Sequence, residues 1–139
     1  MSERGTLHLR TVAGDGLRFE AVFPTGTLVM DSGAEATAPN PVQTLLASLA
    51  VCEAMDVISL LRKKRQHVTA YEVQMAGVRN AAHPRRYTAI ELVHRVTGHS
   101  VRLAAVEDAL RLSVEKYCSV YHCLRPDIGI TNRIEIREG

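Results

Sequence analysis

The chain has 139 residues, enough for one domain, taken as 1–139, with a single apolar core. Its 17 basic and 15 acidic residues leave a formal charge of +2, too little to point to nucleic acid or an anionic membrane surface as partner. Aromatic residues are 4% of the chain and Trp is absent, so the core must rest on Leu, Val, Ile, Ala and Met.

Residues 5–12 alternate, with Leu7 and Leu9 on one face, and Gly14-Asp15-Gly16 reads as a hairpin turn. Residues 17–23 alternate again, predicting Leu17, Phe19, Ala21 and Phe23 on a buried face. After a turn at Pro24-Thr25-Gly26, residues 27–30 predict a short third strand. Residues 31–40 are small and polar, a loop ending in a helix start with Asn40 as cap and Pro41 in the first helical position.

The stretch from Leu45 to Leu61 is apolar almost all round the helical wheel, which predicts a helix buried under a sheet or between subunits. Glu53 and Asp56 near its centre argue against a bilayer span. The basic run Arg62-Lys63-Lys64-Arg65 reads as its solvated end. Residues 68–78 and 86–97 predict two long strands, the first with Tyr71, Val73 and Met75 on one face and the second with Ile90, Leu92 and Val96. A second helix carries Leu103, Val106, Leu110, Val114 and Tyr117 at helical spacing, and residues 128–137 predict a last strand. The order βββ-α-ββ-α-β, with antiparallel hairpins, gives an α+β class.

Three cysteines, an odd count, do not suit a disulfide framework, and residues 1–20 lack the apolar run of a signal peptide. The expected setting is a reducing cytoplasm. Cys52 lies mid-helix beside Leu45 and Leu49, and Cys118 ends the second helix beside Leu110 and Val114. Free cysteine often packs as a small hydrophobe, and from spacing alone that reading stands ahead of chemistry. Two packing helices that each bring a thiol inward are nonetheless the layout a redox pair requires.

The segment Asn-Pro-Val-Gln-Thr-Leu-Leu-Ala-Ser-Leu-Ala-Val-Cys-Glu-Ala-Met-Asp-Val (40–57), continued by Ile-Ser-Leu-Leu-Arg-Lys-Lys-Arg-Gln, resembles the first-cysteine helix of the OsmC/Ohr family of peroxide-reducing proteins. Glu-Lys-Tyr-Cys-Ser-Val (115–120) is similar to that family's second-cysteine motif, and Arg79, His83-Pro84 and Val96-Thr97-Gly98 also fall where the family has similar residues. The likeness is greatest to the short YhfA-like branch. It implies an intertwined homodimer with antiparallel sheets packed on two central helices. It implies a thiol-dependent peroxidase in which Cys52 attacks an organic hydroperoxide, leaving a sulfenic acid, and Cys118 resolves it as a disulfide. A dithiol reductant of lipoyl or thioredoxin type would restore the pair, with no metal or other cofactor. It also implies an arginine from an early strand to lower the thiol's pKa, for which Arg10 is the first match and Arg18 the second.

The sequence departs from the family pattern in two ways. Val42 and Gln43 stand where the branches carry a glutamate that holds the arginine, and Glu53 follows Cys52 directly. Gln43, Glu53 and Arg18 are therefore weaker site residues. Asp56, one turn after Cys52, reads as a solvated carboxylate or as an orienter of an arginine. Cys123 is extra to the motif, and His122 with Cys123 matches no usual zinc spacing. The remaining histidines, His94 among them, read as surface or turn residues. The rival function is a non-catalytic binding or redox-sensing protein with an apolar ligand at the dimer interface.

Overall fold

A computed structural model describes residues 1–10 and 16–139, which form two compact units, Met1–Leu45 and Leu46–Gly139. The fold is α+β. Gly14 and Asp15 of the expected first turn lie outside the described residues.

In the first unit, β1 (Thr6–Leu9), β2 (Phe19–Phe23) and β3 (Gly26–Met30) form an antiparallel sheet in that order. The register sets Leu7 opposite Ala21 and Ala21 opposite Leu28, so the apolar residues share one face as their alternation requires. Of the residues expected to be buried there, only Ala21 is. Leu17 is 54% and Phe23 39% exposed, and Leu7, Leu17, Phe19, Met30 and Pro41 line an apolar groove. Strands of four and five residues bring no second layer of their own to cover that face. Asp31 organises the loop that follows: its carboxylate accepts from the Ser32 and Thr37 N–H groups, which hold its pKa below the usual value.

Helix α1 spans Pro41–Lys63. Its start is a reciprocal capping box: Asn40 Oδ1 accepts from the Gln43 N–H at 2.8 Å, and Gln43 Oε1 accepts from the Asn40 N–H at 2.9 Å. The single chain by itself buries part of this helix. Leu49, Ala50, Glu53, Val57 and Leu61 are buried along one stripe, while Val51 and Met55 are at least half exposed. Length and hydropathy alone would let α1 cross a bilayer. Its buried stripe instead packs into the core of the second unit, where Val57 and Leu61 join Val96, Ala105, Val106, Ala109 and Leu110. Burying each of the larger side chains is worth about 1.5–3 kcal/mol.

The second sheet runs β4 (His67–Arg79), β5 (Tyr87–His99), β6 (Gly129–Glu138). β4 and β5 form the expected antiparallel hairpin, but β6 pairs with β5 in parallel. The helical connection between them supplies the crossover that a parallel pair needs, so the expectation of purely antiparallel sheets fails at this edge. Gly98 lies in β5 where a Cβ would collide with the His67 carbonyl oxygen, which accounts for the glycine of Val96-Thr97-Gly98. The crossover contains α2 (Leu103–Leu112), a π-helical turn (Ser113–Tyr117) and α3 (Ser119–Cys123). Of the basic run, Arg62, Lys63 and Arg65 are exposed as expected, whereas Lys64 pairs with Asp108 of α2 at 2.5 Å.

Candidate active site

Cys52 and Asp56 stand one turn apart on α1 and so share a face. Cys118 reaches them because α2 does not continue as an α-helix. The chain passes through the π-turn, the Cys118 N–H donates to the Ser113 carbonyl at 2.8 Å, and Cys118 itself is extended with φ −73° and ψ 96°. This corrects the placing of Cys118 on the apolar face of a continuous second helix. Its sulfur caps α3 by accepting from the Tyr121 N–H at 3.3 Å. The two sulfurs and a carboxylate oxygen of Asp56 lie within 4.8 Å of one another.

The three groups differ in exposure. Cys118 is fully buried, while Cys52 and Asp56 are half-buried. Burial pushes the Cys118 thiol up to about 12, the neighbouring Cys52 and the Glu53 charge adding to the effect against the Tyr121 N–H. Asp56 Oδ2 accepts from the Ser113 hydroxyl at 2.9 Å, so Ser113 holds Cys118 through its carbonyl and Asp56 through its side chain. Two thiols and a carboxylate are also soft-cation donors. A structural zinc takes four protein ligands, and no fourth histidine, cysteine or acid joins these three among the described residues.

Glu53 turns away to the sheet. It is fully buried, and neither carboxylate oxygen has a hydrogen-bond partner among the described residues. Its nearest polar neighbour is the imidazole of His94, also fully buried, with Nε2 at 3.3 Å from Oε2. Nε2 also lies 3.0 Å from Asn132 Oδ1, and Nδ1 lies 2.6 Å from the Tyr71 hydroxyl. Burial and the Glu53 charge raise the Tyr71 pKa, so the phenol stays protonated and donates to Nδ1. The ring proton then sits on Nε2 and is directed at Asn132, which is why the Glu53 contact is a close approach without an aligned hydrogen bond.

The other expected residues make the following contacts. Arg10 pairs with Glu20 at 3.0 Å, and Arg18 donates to Thr37 Oγ1 at 2.5 Å with Asp31 at 3.9 Å, all within the first unit. Gln43 is engaged in the helix cap. Cys123 is exposed, and His122 contacts the Val114 carbonyl at 2.8 Å, so neither joins the thiol cluster.

Sequence reasoning placed Asp56 in solvent and His94 on the surface, and it passed over Ser113 and Asn132. Strand alternation carries a signal for two of them: residue 94 shares its face with Ile90, Leu92 and Val96, and Asn132 interrupts Ile130, Ile134 and Ile136. Nothing in the sequence marks the π-turn that brings Ser113 to Asp56.

The profile of the OsmC-like protein family matches residues 33–132. Protein YhfA of Escherichia coli (strain K12) is 38% identical over 123 residues, covering 88% of this chain and 92% of its own length. A hypothetical protein from Aquifex aeolicus superposes with a TM-score of 0.87 at 29% identity, covering 100% of this chain and 98% of that one. An organic hydroperoxide resistance protein OsmC from Legionella pneumophila has the same fold, with a TM-score of 0.70 at 16% identity over 97% of each chain. Profile, sequence and fold agree: the chain belongs to the OsmC-like family.

Proposed function

We propose that this protein reduces organic hydroperoxides through Cys52 and Cys118. The observation that carries the reading is the meeting of the two sulfurs, within 4.8 Å, from helical segments far apart in sequence. The Cys52 thiolate attacks the peroxide oxygen, releases the alcohol and becomes a sulfenic acid. Cys118 displaces the hydroxyl and forms the disulfide, whose S–S distance is about 2.05 Å. A dithiol of lipoyl or thioredoxin type then reduces it by exchange.

The hydroperoxide-resistance name of the Legionella relative supports the substrate class. Arg10 is our first choice for the cation that activates Cys52, with Arg18 second. Gln43, whose amide closes the cap of α1, serves the site by fixing where that helix begins. The working form is a cytoplasmic homodimer, as in the family, and dimerisation would give the apolar residues Leu7, Leu17 and Phe19 a covering surface.

The test is intact mass with peptide mapping after one equivalent of cumene hydroperoxide is added to reduced protein. The expected product has lost two hydrogens and carries a Cys52–Cys118 link, and Cys52→Ser does not form it. Slow oxidation spread over Cys118 and Cys123 would overturn the reading and favour a binding protein.

A further inference from the structure

Forming the disulfide poses a problem that the two cysteines do not solve. The attacking sulfur must lose a proton, yet the Cys118 thiol is fully buried and its ionisation is pushed up to about 12. The leaving group on Cys52 is hydroxide, which must gain a proton to depart as water. A single group within reach of both sulfurs could serve both needs.

The acids around the thiols are Glu53 and Asp56 of α1, with Tyr71 on β4, His94 on β5, and Lys63 and Tyr117 bordering the groove at Asp56. Glu53 is directed at His94 in the sheet, and its charge opposes ionisation of Cys118. Asp56 is placed differently. A carboxylate oxygen lies within 4.8 Å of each sulfur, and Ser113 fixes Oδ2, leaving the second oxygen uncommitted among the described residues. Its half-exposed position on a groove with Ser59, Leu60, Lys63 and Tyr117 lets it exchange protons with solvent between turnovers.

We propose that Asp56 is the proton-transfer residue of disulfide formation, taking the thiol proton of Cys118 and delivering it to the hydroxyl that leaves Cys52. The inference rests on the peroxide-reduction reading. As the Cys118 sulfur pair attacks, the S–S bond forms and the S–O bond breaks, its electron pair leaving with oxygen. The proton passes from Cys118 to Asp56 to that oxygen, and water departs. The Cys52 sulfur is reduced by the step, the Cys118 sulfur is oxidised, and Asp56 ends as the carboxylate it began as. Resting separations are long for direct transfer and shorten as the sulfurs draw together.

The two steps are separated by rapid quench with dimedone, which traps the Cys52 sulfenic acid formed from cumene hydroperoxide. In D56N, sulfenic acid should still form and should then persist, with disulfide formation slowed about 100-fold, the low end for a lost general acid–base. Its residual rate should climb about tenfold per pH unit, because solvent hydroxide must then deprotonate a thiol that burial keeps protonated. D56E should recover part of the loss. S113A, which keeps the carboxylate but frees it, should slow the second step about fivefold and leave the first unchanged; it carries the test if D56N fails to fold. Wild-type disulfide formation in either D56N or S113A would overturn the assignment. A wild-type protein that forms no Cys52 sulfenic acid would instead overturn the peroxide reading, and this inference with it.

Discussion

Glu53 and Asp56 stand three residues apart on one helix and meet opposite fates. Glu53 is fully buried against the sheet with neither oxygen hydrogen-bonded among the described residues, while Asp56 is half-buried with a hydroxyl holding one oxygen. The first carries the cost of burying a carboxyl group without hydrogen bonds, with the His94 imidazole as its nearest polar neighbour. The second keeps access to solvent and is oriented at 2.9 Å by Ser113. The contrast teaches that exposure and orientation, more than nearness to sulfur, decide which acid can move a proton. Glu53 acts on Cys118 through its field; Asp56 is placed to exchange a proton with it.

Removing His94 should break the Glu53 side most severely. His94→Ala empties a buried site and leaves the Tyr71 hydroxyl and Asn132 without their imidazole partner, which should cost about 3–5 kcal/mol in urea unfolding. A loss below about 1 kcal/mol would show that the Tyr71–His94–Asn132 hydrogen bonds hold little of the fold. Glu53→Met should act in the opposite direction. It removes the unsatisfied group while His94 keeps Tyr71 and Asn132, so stability should rise by about 1–3 kcal/mol. On the other side, Ser113→Ala should cost about 1 kcal/mol, since Asp56 can turn to water. The smallest effect joins the two sides. A negative Glu53 opposes a second negative charge on Cys118, so Glu53→Gln should lower the Cys118 pKa from about 12 and enlarge the thiolate fraction at any pH below it. Iodoacetamide labelling of Cys118 at pH 9–10, followed by peptide mapping, should be about two- to fivefold faster in that variant; an unchanged rate would remove Glu53's influence on the thiol.

The sequence made some of this legible and hid the rest for physical reasons. Local signals carried the helix start, because Asn40, Pro41 and Gln43 sit together in the chain and their hydrogen bonds close within one turn. Two-residue alternation likewise carried β4, β5 and the core residues Ile90, Leu92 and Val96. The parallel β5–β6 pairing was not legible, since alternation is the same in either strand direction. His94 was misplaced because its residue type outweighed its position on an apolar face. Asp56 was misread because its partner, Ser113, lies far along the chain beyond a helix irregularity. The two cysteines were identified by their motifs, whereas their approach in space depends on that same irregularity.

The π-turn at Ser113–Tyr117 closes its hydrogen bond over five residues where an α-turn uses four. It is equivalent to one inserted residue, and each helical residue turns the chain by about 100°. Deleting one residue between Ser113 and Tyr117 would let α2 run on as an ordinary helix and swing Cys118 about a quarter-turn away from Cys52. The spacing of the second thiol is thus set by chain length as much as by residue type, and a relative that keeps both cysteines but is one residue shorter here would carry the motif without the dithiol.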